Sequence, residues 1–400
     1  MEDVQKRERN YGIEIFRCVA MIMIIILHIV NQGGVLNATK TFTPSYYGAY
    51  WLKVVGYCAV DCYALISGYV NASKRFRIKR ILSLWVEVVF WLAVPAAVCH
   101  FFIPSITVTR DNWLEAFFPV STKAYWYFNG YILLFALMPI LNRGLEALDK
   151  KQHRNIALFL FFAVCCMQFI GGGDLFVTGS GYSGIWLVIL YIFGAYFRIH
   201  GIPKFAKWYV TLPAFFLAAT ASGVLDQLRI HLYRDGKIES GDLAYLSLDR
   251  ALTYISPFMV IMGISLLCFF AQIKVKPKLL QKTLAVMGRA TFGVYLFHVG
   301  DMIWVYWLKG RYKPYGEFPA WKLVLAVVGT AALLFVVWDI LSISRIYLFK
   351  LFALPFEAIK KKREAAANVF PSQTDIAEGE SQASALPLPA AEDPPSGERN

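Results

Sequence analysis

Charge is scarce in this chain. Only 17% of its 400 residues are Asp, Glu, Lys or Arg, against 58% hydrophobic. A soluble protein of this length needs a charged surface around two or three cores, so the shortage excludes an ordinary cytosolic or secreted enzyme. The seven cysteines lack a pattern: they are scattered, mostly within apolar runs, with no CxxC and no His/Cys ligand spacing. They read as reduced packing residues, so neither a disulfide framework nor a metal site is expected. No aromatic-basic module accompanies the net charge of +13, which argues against nucleic acid as a partner. The first apolar run follows Lys6, Arg7 and Arg9 as a leader would, but no small-residue cleavage site follows and Arg17 interrupts it. It reads as a retained span.

The chain does have long apolar runs. Ten of them fall at about 12–30, 48–72, 81–103, 125–142, 156–172, 183–198, 207–223, 251–271, 284–308 and 323–345. As helices, most are long enough to cross a hydrocarbon core of roughly 30 Å. With the amino terminus inside, the inner connections hold more than twice as many Lys and Arg residues as the outer ones. The expected fold is therefore an all-α, polytopic transmembrane helical bundle of about ten spans, both termini cytoplasmic. The membrane domain is expected over 1–350, followed over 351–400 by a cytoplasmic basic segment and a tail. From about Glu364 the tail is rich in Ala, Pro, Ser and Glu, a composition expected to be disordered. The outer connection at about 224–250 fits a cap over the outer mouth and a plain solvated loop equally well.

Ionisable residues inside such runs are costly and mark candidate function. Arg17 and His28 stand eleven residues apart in RCVAMIMIIILH. Eleven helical steps turn about 20° past three full turns, so both side chains share one face, roughly 16 Å apart along the axis. Glu14 lies on the same side, one turn before Arg17, and can pair with it. The bland alternative is that Arg17 snorkels to the headgroups while His28 makes an interhelical hydrogen bond; two such groups on one face favour a cavity. Asp61 is a further acid inside an apolar segment, near Ser67, Gly68 and Tyr69, whose small pair also suits close helix approach. The basic run from Lys74 to Arg80 is either a topology signal or a phosphate site. YWYFNGYILLFALMP (Tyr125 to Pro139) and GRATFGVYLFH (Gly288 to His298) end the series; belt aromatics and a structural histidine are the ordinary explanation for such stretches.

Taken in order, these stretches resemble the membrane-bound acyltransferase family 3, bacterial enzymes that O-acylate cell-surface glycans. The resemblance rests on Glu14, Arg17 and His28 in the first span; Val60, Asp61, Ser67, Gly68 and Tyr69 in the second; Arg77, Arg80 and Ile81; Trp126, Tyr127 and Pro139; and Thr291, Phe292, Gly293, Tyr295, Leu296 and His298. Cys62-Tyr63 and Phe128 depart from the family pattern. The resemblance implies transfer of an acyl group, most often acetyl, from acyl-CoA to a glycan or lipid-linked sugar hydroxyl at the bacterial cell membrane, with no tightly bound cofactor. It assigns catalysis to His28, Arg17, Glu14 and Asp61, donor binding to Arg77, Arg80, Ser67, Gly68, Tyr69 and Trp126, and accessory roles to Tyr295 and His298. His28 as general base and an acyl-histidine intermediate both remain open. The rival expectation is a transporter or flippase of lipid-linked sugars, or their polymerase, with Arg17 and His28 lining the path.

Overall fold

A computed structural model describes residues 9–72, 74, 77–171 and 173–369, with side chains as far as residue 351. The chain divides into two units, Met1–Ile343 and Ser344–Asn400; the candidate site lies in the first. All regular structure among the described residues is helical. The helices are α1 (Tyr11–Val30), α2 (Val35–Ala38), α3 (Pro44–Tyr57), α4 (Ala59–Asn71), α5 (Ile78–Phe102), α6 (Arg110–Phe117), α7 (Trp126–Ala147), α8 (Lys150–Leu160) and α9 (Met167–Gly171). They continue with α10 (Gly184–His200), α11 (Trp208–Arg234), α12 (Leu243–Asp249), α13 (Pro257–Ala271), α14 (Lys278–Val299), α15 (Asp301–Ile303) and α16 (Ala320–Val369).

Eight stretches among the described residues are long and apolar enough to cross a membrane, so this is an all-α, polytopic membrane protein. The remaining two of the ten expected spans coincide with α10, apolar but only 17 residues long, and α14, which carries Lys278, Lys282 and Arg289. The second span is two helices, α3 and α4, meeting at Cys58. The segment 224–250 is no simple loop. Helix α11 runs on to Arg234, because Asp226 accepts a hydrogen bond from the Tyr50 hydroxyl at 2.8 Å and pairs with Arg229 one turn later at 2.7 Å. The backbone stays helical to Val369, which includes the first residues of the expected tail; the rest of that tail lies outside the described residues.

Local signals set the helix starts. The Asn10 side chain accepts from the Gly12 and Ile13 amides and opens α1; Thr43 and Ser256, each followed by proline, open α3 and α13. Pro95, Pro139 and Pro213 sit inside α5, α7 and α11 without ending them. Membrane helices accept such prolines because neighbouring groups satisfy the freed carbonyls.

Small residues bring the helices together. Without a Cβ, Gly68 of α4 lies against the Tyr191 carbonyl of α10, and Gly194 of α10 lies against the Leu65 carbonyl of α4. This reciprocal crossing is what a small pair permits in lipid, where hydrophobicity drives no association. In α14, Gly288 faces the Glu14 carboxylate, while Gly293 faces Ser342 of α16 and the Trp91 indole of α5. Replacing Gly68 by Val should cost about 1–3 kcal/mol through forced backbone displacement. Thermal unfolding of the detergent-solubilised protein checks this, with Gly144→Ala, where a Cβ meets nothing within 4 Å, expected to leave the midpoint unmoved.

Candidate active site

Helix α1 organises the site. At its amino-terminal end Glu14 is buried and receives two guanidiniums, Arg9 Nε at 2.9 Å and Arg17 Nη1 at 3.0 Å. One carboxylate shared by two cations leaves local positive charge. The Arg17 backbone carbonyl accepts a hydrogen bond from the Tyr63 hydroxyl at 2.7 Å, tying α1 to α4.

A basic cleft lies on the segment following α4, lined by Asn71, Lys74, Arg77, Arg80, Phe135, Met138, Pro139 and Asn142. Arg80 donates to the Asn71 side-chain oxygen at 2.9 Å. Asn142 donates to the Asn71 carbonyl at 2.9 Å and receives the Tyr191 hydroxyl at 2.6 Å. These bonds fix the cleft's floor while Arg77 stays exposed. Lys74 is held down to about 8 by partial burial of its side chain, then by the charges of Arg80 and Arg17, which places all three cations within electrostatic reach.

Three turns along α1 from Arg17, His28 lines a cavity of about 370 Å³. The wall is aromatic: Trp126 and Tyr182 have ring centroids 4.8 Å apart, Tyr182 and Tyr254 4.9 Å, and Tyr57 and Tyr254 4.9 Å. Trp304 meets the His28 ring edge-on at 5.0 Å. Tyr63 and Tyr295 line the same space. Its polar groups besides the histidine and the tyrosines are Asn31, Gln32, Glu115 and Asp301, and no Lys or Arg lines it among the described residues. Aromatic faces with carboxamides and carboxylates between them suit a neutral polyol, which offers apolar C–H faces and hydroxyl donors. The Asp301 carboxylate accepts from Asn112 Nδ2 at 2.9 Å.

The residues singled out in the sequence separate in space. Glu14 and Arg17 sit at the amino-terminal end of α1, and Arg77 and Arg80 form the basic cleft. His28, Trp126 and Tyr295 share the cavity, so Trp126 lies with the imidazole and apart from the cleft. His298 stands behind the wall, fully buried and stacked on Trp338 at 5.2 Å. Asp61 belongs to neither space. It is wholly buried, and the Trp186 indole N–H donates to its Oδ1 at 2.9 Å; no basic side chain pairs with it among the described residues. Gly68 serves the α4–α10 crossing, Tyr69 lies near Asn10 and under the Arg198 guanidinium, and Ser67 is half-buried. Glu115, Asp301, Asn31, Gln32, Tyr182 and Tyr254 went unnoticed in the sequence. They come from loops and helix ends, where no period or spacing marks them. No group of three His, Cys, Asp or Glu side chains that could hold a metal ion occurs among the described residues.

An acyltransferase-domain family model matches residues 10–341, spanning both the basic cleft and the cavity. The chain belongs to membrane-bound acyltransferase family 3. Membership carries acyl transfer at a membrane with it. No curated protein and no solved structure matches the chain. The family match covers every stretch on which the resemblance rested, from Glu14 to His298.

The acidic side of this family 3 site yields a test of its electrostatics. Burial, and secondarily the Asp301 charge, raise Glu115 above its usual 4.5. Glu115 thus gains its negative charge at a higher pH than a free glutamate does. Asp301→Asn should lower the Glu115 midpoint without returning it to 4.5, because burial, the larger cause, persists. Carbon-13 titration of the labelled carboxyl reads this directly; an unmoved midpoint would separate the two carboxylates.

Proposed function

We propose that this protein is an O-acyltransferase that moves an acyl group, most readily acetyl, from acyl-CoA to a hydroxyl of a cell-surface or exported glycan. The observation that carries the proposal is His28, a base opening on an aromatic, cation-free cavity and joined through its own helix to a cationic inner end. In this view both termini are cytoplasmic, ten helices cross the cell membrane, and the basic cleft faces the cytosolic pool of donor.

The donor's phosphates are held by Arg77 and Arg80, with Lys74 beside them and Arg17 deeper, where guanidinium forks match phosphate oxygens. Its pantetheine arm passes Tyr63 and brings the thioester into the cavity. The acceptor sugar enters from the other side and lies against Trp126, Tyr182 and Tyr254. His28 removes the proton from the attacking hydroxyl as its oxygen bonds to the thioester carbonyl carbon. The carbon–sulfur bond then breaks, and the imidazolium returns the proton to the departing thiolate, so the histidine ends as it began. Glu14 keeps Arg17 in place, Tyr295 shapes the wall, and His298 is an accessory residue. Asp61 with Trp186, and Ser67, Gly68 and Tyr69, support the helices that carry the site.

His28→Ala should abolish transfer of radiolabel from acetyl-CoA to glycan while membrane insertion and thermal stability stay near wild type. Full transfer by a well-folded His28→Ala protein would remove the imidazole from the chemistry. Neutralising Arg77 and Arg80 together should raise the KM for acyl-CoA at least about tenfold, and the KM for acceptor little; equal effects on both substrates would leave the run as a topology signal. Lys74 is protonated below pH 8 and loses its charge above it, so donor KM should climb as pH passes about 8. Steady-state kinetics of Lys74→Met, expected to lack that rise, complete the test.

A further inference from the structure

Two buried nitrogens near the cavity have no hydrogen-bond partner: His28 Nδ1 and His298 Nε2. The other ring nitrogen of His298, Nδ1, lies 2.7 Å from the Val294 carbonyl oxygen. A carbonyl can only accept, so Nδ1 carries the hydrogen. In the neutral ring Nε2 is then a bare acceptor. It is sealed in an apolar setting, the ring fully buried and stacked on Trp338. An acceptor closed off from water without a donor costs about 1–3 kcal/mol, so a donor is called for.

The facing group is His28. The two ring centroids are 5.1 Å apart with their planes at 45°. Elsewhere in this protein, His153 Nδ1 and His200 Nε2 lie 3.2 Å apart, and their ring centroids are separated by 5.2 Å. His28 and His298 thus stand no farther apart than that hydrogen-bonded pair, close enough for one bond between them to account for both orphan nitrogens.

We infer that His298 is a positioning residue: its Nε2 accepts a hydrogen bond from His28 Nδ1–H and so fixes the tautomer of His28. Held in that form, His28 keeps its proton on the sealed side and turns the lone pair of Nε2 to the cavity, where an acceptor hydroxyl would donate to it. Without His298 the ring is free to populate the opposite tautomer, whose Nε2–H cannot remove a proton. The inference rests on the proposed role of His28 as base.

Two isosteric replacements separate this role from a merely structural one. The amide of His298→Gln reaches the place of Nε2 and can present an acceptor to His28, while losing the bond to Val294. The amide of His298→Asn reaches the place of Nδ1 and keeps the Val294 bond, while leaving His28 without an acceptor. We expect His298→Asn and His298→Ala to lower kcat by about 100-fold with both KM values nearly unchanged, and His298→Gln to retain activity within about fivefold. Asparagine matching or exceeding glutamine would make His298 structural and overturn the inference. A second readout needs no activity. In full-length, histidine-labelled protein in lipid, nitrogen-15 spectra, assigned by loss of the His28→Ala signals, should show neutral His28 protonated at Nδ1, and a mixture of tautomers in His298→Ala. His28 protonated at Nε2 in the wild type overturns the pairing. Nδ1 protonation in a protein devoid of acyl transfer supports the pairing and discards the proposed reaction.

Discussion

A charge placed in hydrocarbon must be compensated where it sits, and the helices around the amino-terminal end of α1 are arranged around that constraint at Glu14. Its carboxylate is buried, receives Arg9 and Arg17, and is accommodated by a glycine at position 288 of the neighbouring helix. Any side chain at that glycine would displace the carboxylate. The ion cluster therefore dictates how closely α1 and α14 approach, and those two helices carry His28 and His298. The same cluster is unbalanced, two cations to one anion, so it offers positive potential toward the cleft of Lys74, Arg77 and Arg80. Packing and electrostatics are one device here.

The two spaces of the site differ in kind. The cleft is cationic and floored by hydrogen bonds to Asn71 from the Arg80 guanidinium and the Asn142 amide. The cavity is aromatic and mildly acidic, with carboxylates at Glu115 and Asp301 and no cation among its described lining. The charge of the first space is complementary to a polyanion, and that of the second is not. Tyr63 joins the cavity to the charged end of α1, since it lines the cavity and donates to the Arg17 carbonyl. This polarity is the basis on which the proposed function assigns the donor to one space and the acceptor to the other.

Much of this was legible because helical geometry is regular. Counting eleven residues from Arg17 to His28 placed both on one side of α1, and the Glu14–Arg17 pair follows from a spacing of three. Apolar run length located the helices, including α10 and α14, whose shortness or basic residues keep them outside the eight clear spans. Less was legible where a residue's surroundings depend on a partner distant in sequence. The resemblance assigned Asp61 to catalysis, and the fold presents it with the Trp186 indole. Trp126 suggested a donor contact, and α7 begins at the cavity wall beside Tyr182 and Tyr254. The segment 224–250 looked irregular because its charges hide a helix held by Asp226, Arg229 and Tyr50.

From sequence alone came the membrane class and the helical architecture, through composition and run length; the alignment of Glu14, Arg17 and His28, through the period of one helix; and the family, through motifs that keep their order along the chain. Tertiary structure alone decided which aromatic residues wall the cavity, that Glu115 and Asp301 share it, and that His298 stands 5.1 Å from His28. Those groups meet across loops and between helices, where spacing along the chain sets no distance. The separation of the two imidazoles follows from how closely glycine lets α14 lie against α1, a property of two surfaces in contact.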